Sequence, residues 1–295
     1  MYRSEPAAAA PAARRKISGR VAMMRGWNQG LDTQDITCPG GMPAFLAAPK
    51  DIEGRIPVVV LMHERYGLVA HTRDLAMRCA RDGFLTIAPN FFFKHPDPTA
   101  LSTGASRYDL GDVASTAYLR QVLAMLADHP NADLTRVAIA GYCQTGRHPL
   151  VFAADENIAA AVVWYGAASS REWEVTPHQP RPLQQMIAQL GCPVFGAFGA
   201  LDHIISIDNV RRFRNALEDA GKSYEIHVFE KAPHGWLNDT MPGRYRKAEA
   251  EAAWAAQQAF LARVLAPGYR QTATQWKFVC DRPADYDFSR NVRME

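Results

Sequence analysis

The chain alternates short, mostly apolar runs with longer stretches whose apolar residues recur every three or four positions. Pro57 to Met62, Phe84 to Pro89, Val137 to Ala140, Ile158 to Tyr165, Cys192 to Gly199 and Tyr224 to Phe229 have strand length, and such runs suit strands covered on both faces. Between them, Thr72 to Asp82, Asp112 to Leu126, Ile207 to Ala220 and Tyr245 to Leu265 carry helical spacing. Thr72 reads as the N-cap of the first, Gly83 ends it, and Gly221 closes the third. This alternation predicts an α/β fold: a mostly parallel sheet with helices on both faces in a single domain. Residues 90 to 111 read as a loop, aromatic at Phe91-Phe92-Phe93. Gly166 to Leu190 reads as a long proline-containing loop carrying Trp173, either a lid or a plain surface excursion.

Composition narrows the field without choosing a function. With 295 residues, 48% hydrophobic and 21% charged, the chain can bury a sizeable core. Residues 1 to 30 begin Ala/Pro-rich and read as a disordered extension, residues 31 to 266 as the folded domain, and 267 to 295 as a C-terminal extension. In that extension Gln271 to Val279 alternates polar and apolar residues like a strand with one buried face, including Trp276 and Phe278. It suits packing on its own domain or on a second subunit, which makes a homodimer one expectation. A formal charge of +3 is too small to imply nucleic acid, and the cluster Arg14, Arg15, Lys16, Arg20 and Arg25 reads as a solvated tail. The longest apolar runs are strand-length, so no membrane partner is expected. Arg14-Arg15 lacks the long apolar stretch that a twin-arginine signal needs after it. Five cysteines without metal-ligand spacing leave one unpaired in any disulfide scheme, which fits a reducing cytoplasm. The nine histidines show no zinc-type pairing either, so neither a metal nor another cofactor is expected.

The candidate chemistry begins where Val137-Ala138-Ile139-Ala140 runs into Gly141-Tyr142-Cys143-Gln144-Thr145-Gly146. A sharp strand-to-helix turn flanked by small residues lifts a nucleophile above a sheet. Pro149 sits in the first turn of the helix that follows, so Cys143 lies near a helix N-terminus, where the dipole and free amides favour a thiolate. Alone, Cys143 reads first as core filler, because cysteine is commonly buried. A phosphate loop is the other reading, but Arg147-His148 stands where Lys and Ser or Thr would be needed. The rest of the chain supplies the partners in the order nucleophile, acid, histidine. Asp202 follows the Cys192 to Gly199 strand, and His234 lies in the loop Lys231-Ala232-Pro233-His234-Gly235-Trp236 after the Tyr224 to Phe229 strand. Both therefore stand at carboxyl ends of strands, where open α/β sheets hold ligands. His203, beside Asp202, reads as a neighbour pointing elsewhere. An oxyanion hole would draw on the Gln144 amide and on an amide of the loop His63-Glu64-Arg65-Tyr66-Gly67.

His63-Glu64 through Gly67, the Gly141-Tyr142-Cys143 turn, Phe198-Gly199 to Asp202, and Pro233-His234-Gly235 together resemble the dienelactone hydrolase family, over roughly residues 40 to 265. The resemblance implies an α/β-hydrolase fold, with Cys143 as nucleophile, His234 as general base and acid, and Asp202 orienting the histidine. It further implies that Glu64, beside the thiol, helps gate its ionisation, and that the Arg65 and Gln144 amides form the oxyanion hole. Tyr66, Tyr142 and Trp236 are the candidate substrate-binding side chains. The family usually has Gly-Gly where this chain has Thr145-Gly146. The implied activity is hydrolysis of small-molecule lactones or activated esters through a thioester. The alternative is a hydrolase-fold protein that binds a small molecule without turning it over.

Overall fold

The computed structural model describes residues 30–280. The expectations for residues 1–29, including the basic cluster, and for residues 281–295 lie outside the described residues. Nine strands form one sheet: β1 (Leu31–Cys38), β2 (Met42–Pro49), β3 (Ile56–Met62), β4 (Leu85–Pro89), β5 (Ala132–Tyr142), β6 (Ala160–Trp164), β7 (Val194–Gly199), β8 (Tyr224–Phe229) and β9 (Trp276–Cys280). Their spatial order is β1-β2-β4-β3-β5-β6-β7-β8-β9. Only β1 and β2 pair antiparallel, with each other and, for β2, with β4; every other pairing is parallel.

The helices are α1 (Ala70–Arg81), α2 (Pro98–Thr103), α3 (Asp112–Leu126), α4 (His148–Asp155), α5 (Leu183–Gln189), α6 (Ile207–Asp219) and α7 (Lys247–Val264). Successive strand side chains point to opposite faces, and β3 shows why its sequence is apolar throughout. Val59 and Leu61 enter the core shared with α1 and α7, while Val58, Val60 and Met62 enter the core shared with α3. A third cluster under α4, α5 and α6 completes the second face.

Several local expectations are corrected. The β1–β2 hairpin turns at Pro39–Gly41; β1 is half exposed and polar, so it lacks the apolar run that marked the other strands. Helix α1 begins at Ala70 with Val69 as its N-cap, and the Thr72 hydroxyl instead donates to the Gly67 carbonyl at 3.2 Å from within the first turn. The 90 to 111 stretch holds α2, capped by the Asp97 carboxylate accepting from the Ala100 amide at 2.9 Å. The 166 to 190 stretch is not simply loop: it contains a 3-10 turn, Ser170–Trp173, and α5. Strand β9 extends its own sheet beside β8. Trp276 is 55% exposed there, whereas Phe278 is half-buried with the Arg214 guanidinium 4.9 Å from its ring centre.

Candidate active site

Strand β5 delivers the chain to Tyr142, a 3-10 turn spans Cys143–Arg147, and α4 follows. Cys143 has φ +55°, a left-handed conformation that a non-glycine residue adopts only when its surroundings impose it. Those surroundings are backbone. A Cβ on Gly141 would lie 2.4 Å from the Thr145 carbonyl oxygen, and one on Gly146 would lie 2.7 Å from the Gly166 Cα. Thr145, where the family usually has glycine, adds a tie of its own. Its buried hydroxyl accepts from the Tyr142 amide at 3.1 Å and lies 2.8 Å from the His63 carbonyl and 3.1 Å from that of Met62. The turn is thereby bound to the carboxyl end of β3.

Three side chains from three strand ends meet above this turn. The Cys143 Sγ is 3.1 Å from His234 Nε2, and His234 Nδ1 is 2.8 Å from Asp202 Oδ2. The other Asp202 oxygen accepts from the Ile204 and Ile205 amides at 2.7 and 3.0 Å, so the carboxylate is fixed from both sides. Burial works against charge on His234, but its hydrogen bonds to Asp202 and Cys143 and their negative charge outweigh that and raise it from 6.5 to about 10. At His63, bonded through Nδ1 to the Glu64 carbonyl at 2.7 Å, and at His148, 3.9 Å from Asp112, burial outweighs these partners and lowers each to about 4. His203, expected to point elsewhere, sets its ring edge-on to His234 at 6.0 Å.

The raised value has a sign that can be tested. The folded chain holds this proton more tightly than the unfolded one, so the contribution to stability is complete below about pH 6.5 and is lost as pH rises through about 10. The gap in urea midpoint between the native protein and His234→Gln is expected to be widest near neutral pH or below and to narrow toward about pH 10. A gap independent of pH would remove the interaction from the ledger of stability.

Glu64, 5% exposed, accepts from the Tyr165 hydroxyl at 2.9 Å and from the Asn238 amide at 2.7 Å. Both oxygens are thus engaged, and the carboxylate reaches the site through Tyr165. Burial, Glu64 and Cys143 all push the Tyr165 hydroxyl well above its usual range, which keeps it a donor. A cavity of about 250 Å³ opens over this group and is lined by Cys143, His234, Tyr165, Arg65 and Gln144 among others.

None of the three candidate substrate-binding side chains lines that cavity. Tyr142 is the last residue of β5; its ring turns into the core and stacks on Trp164 with centroids 5.8 Å apart. Trp236 is fully buried in the same aromatic cluster, 5.5 Å from Trp164. Tyr66 is half-buried beside Arg65 and Gly104. Adjacency in sequence to a site residue therefore misleads: neighbouring side chains on extended backbone face opposite ways, as at Tyr142, and Tyr66 and Trp236 lie in turns where no such alternation holds. Trp173 packs under Arg212, whose guanidinium is 4.0 Å from its ring centre, and does not line the cavity. Among the residues that do, and that the sequence did not flag, are Tyr165 and the charged set Arg107, Asp109, Arg147, Arg171 and Glu172. Tyr165 stands one residue past β6, so its place at a strand end was the available signal.

Seven parallel-paired strands with flanking helices, with Cys143 on a tight turn after β5, Asp202 after β7 and His234 after β8, define an α/β-hydrolase fold. The dienelactone hydrolase family model matches residues 42–265, and the chain belongs to that family. It is 34% identical over 220 residues to an Escherichia coli O157:H7 protein named "Putative carboxymethylenebutenolidase", covering 72% of this chain and 79% of that one. A Bradyrhizobium protein named "Probable 2-oxo-3-(5-oxofuran-2-ylidene)propanoate lactonase" is 27% identical over 221 residues, covering 72% of this chain and 85% of that one. Among solved structures, a Klebsiella pneumoniae protein titled "Putative Dienelactone Hydrolase" superposes with a TM-score of 0.70 at 31% identity, covering 79% of this chain and 98% of that chain.

Proposed function

We propose that this protein hydrolyses small lactones and activated esters through a thioester on Cys143. The observation that carries the reading is the hydrogen-bonded relay from the Cys143 sulfur through His234 to Asp202, set on a positive-φ turn at the floor of a cavity. With His234 carrying the proton, the sulfur attacks the substrate carbonyl as a thiolate. The Gln144 amide, in the first turn of a helix where N–H groups lack intrahelical acceptors, and the Arg65 amide stabilise the resulting oxyanion.

Collapse then depends on which group leaves. Two of the influences that hold the proton on His234 come from Cys143, and both vanish once the sulfur is acylated, so the imidazolium becomes a better acid as the leaving oxygen needs its proton. The neutral ring next takes a proton from water, which attacks the thioester and releases the acid and the thiolate. A thiolate is itself a good leaving group. The first intermediate therefore goes forward when the departing oxygen is an enolate or phenolate and backward when it is a simple alkoxide. The names of two relatives, a carboxymethylenebutenolidase and a 2-oxo-3-(5-oxofuran-2-ylidene)propanoate lactonase, denote lactones whose ring oxygen would leave as an enolate. A cavity of about 250 Å³ with Arg65, Arg107 and Arg171 along its lining suits a small acidic lactone of that kind.

Aryl and ethyl esters of one acid separate the possibilities. The aryl ester is expected to exceed the ethyl ester in kcat/KM by about a hundredfold or more, and acid quench during turnover should leave the Cys143 peptide heavier by one acyl group. Equal rates, or binding with no turnover of either, would overturn the reading.

A further inference from the structure

Residues 169 to 181 form one side of the cavity, contributing Ser169, Arg171, Glu172, His178 and Gln179 to its lining. Their own hydrogen bonding is slight: the 3-10 turn Ser170–Trp173, one bridge between Thr176 and Gln179, and one bond between side chains, from Gln179 to Glu172. Such a segment keeps one shape only if something outside it holds it. That something is Arg147, four residues after Cys143 and 3% exposed.

A guanidinium has five N–H donors, and every one is engaged here. Nε donates to Asp112 Oδ1 at 2.9 Å. Nη2 donates to Asp112 Oδ2 at 2.9 Å and to the Arg181 carbonyl at 2.6 Å. Nη1 donates to Glu172 Oε2 at 3.1 Å and to the Glu172 carbonyl at 3.3 Å. No donor remains for a substrate carboxylate, although the side chain borders the cavity. Three of the five acceptors belong to the 169–181 segment and two to the first turn of α3. The same anchorage is reinforced from both sides. The Asp112 amide donates to the His178 carbonyl at 2.9 Å, Gln179 Nε2 donates to Glu172 Oε2 at 3.2 Å, and the Arg181 guanidinium grips both oxygens of Asp155 at 2.7 Å.

We propose that Arg147 is a positioning residue of this hydrolase site: its guanidinium joins the nucleophile turn to the 169–181 segment and holds that segment as the wall against which the substrate is oriented. The kinetic part of this proposal rests on the ester hydrolase function above. Loosening the wall weakens substrate and transition state together, which appears chiefly in KM, because the Cys143–His234–Asp202 group stands on other strand ends. Lysine keeps the charge, but its single nitrogen cannot span Asp112, Glu172 and Arg181 in the planar fork.

For Arg147→Lys, KM on an aryl ester is expected to rise about tenfold while kcat falls less than about threefold, and hydrogen exchange of amides 172 to 181 should quicken at least about tenfold. Glu172→Gln removes one charged acceptor and leaves the rest; the same two changes are expected at smaller size, and this variant carries the test if Arg147→Lys does not fold. KM unchanged within about twofold, a loss confined to kcat, or unaltered exchange in 172 to 181 would each overturn the proposal. Should the native protein turn over no ester, the hydrolase reading fails separately, and the exchange measurement alone then upholds or overturns the role of Arg147 in holding the wall.

Discussion

Cys143→Ala is expected to lower kcat/KM on an aryl ester by about ten-thousandfold or more, since in the proposed mechanism it removes the nucleophile and leaves only binding and oxyanion stabilisation. The fold should survive, because alanine keeps the Cβ that the strained turn already accommodates. A second readout separates loss of the nucleophile from general damage. Without the sulfur, His234 loses both a hydrogen-bond partner and a nearby negative charge, so its titration, followed by NMR of the ring proton, should fall below the native value of about 10. Alkylation gives an independent check. Burial pushes the thiols of Cys38 and Cys192 up to about 11 and about 12, and that of Cys79 higher still. These three stay neutral and unreactive near neutral pH, so activity lost on mild alkylation cannot be assigned to them. Activity retained in Cys143→Ala would end the cysteine mechanism, whatever the fate of His234.

Gly199→Ala should be the most disruptive single methyl near the site. A Cβ there would sit 2.1 Å from the Ala232 carbonyl oxygen and 2.7 Å from its carbonyl carbon. Both are backbone atoms, which no rotamer change can move aside. The close approach joins the carboxyl ends of β7 and β8: the Ala200 amide donates to the Phe229 carbonyl at 2.9 Å and the Leu201 amide to the Ala232 carbonyl at 3.1 Å. Asp202 and His234 lie two residues beyond Ala200 and Ala232, so forcing the strand ends apart lengthens the Asp202–His234 bond as well as straining the sheet. A loss of about 3 kcal/mol or more is expected, at the upper end of overpacking effects, together with a kcat loss larger than the fraction unfolded explains. Gly191→Ala is the control, since nothing lies within 4 Å of its added carbon and its effect should be near zero. Equal urea midpoints for the two variants would refute this account of how the two loops are brought together.

How far the site was legible follows from what each residue needs. Cys143, Asp202 and His234 each stand just past an apolar strand, so topology alone brings them to one rim. Glu64 was legible as a motif residue, but its hydrogen bonds to Tyr165 and Asn238 join positions 101 and 174 residues away, and no local pattern announces such partners. Tyr142 and Trp236 show the opposite failure. Their aromatic character beside motif residues suggested a ligand surface, whereas strand direction turned Tyr142 into the core and the turn after β8 placed Trp236 there. Thr145 marked a departure from the family pattern, and only its contacts with the His63 and Met62 carbonyls explain how a threonine serves there.

The amino-acid sequence by itself determined the α/β class, the parallel strands β3 to β8 and the order of the three relay residues, because burial on both faces of a sheet imprints an apolar run on each strand and a helical period on each crossover. Tertiary structure alone decided the cavity wall, the engagement of Arg147 by Asp112 and Glu172, and which aromatics face the ligand space. Those outcomes depend on side-chain directions and hydrogen bonds between segments 25 to 35 residues apart, where the free energy is set by desolvation and geometry in three dimensions and leaves no periodic mark on the chain.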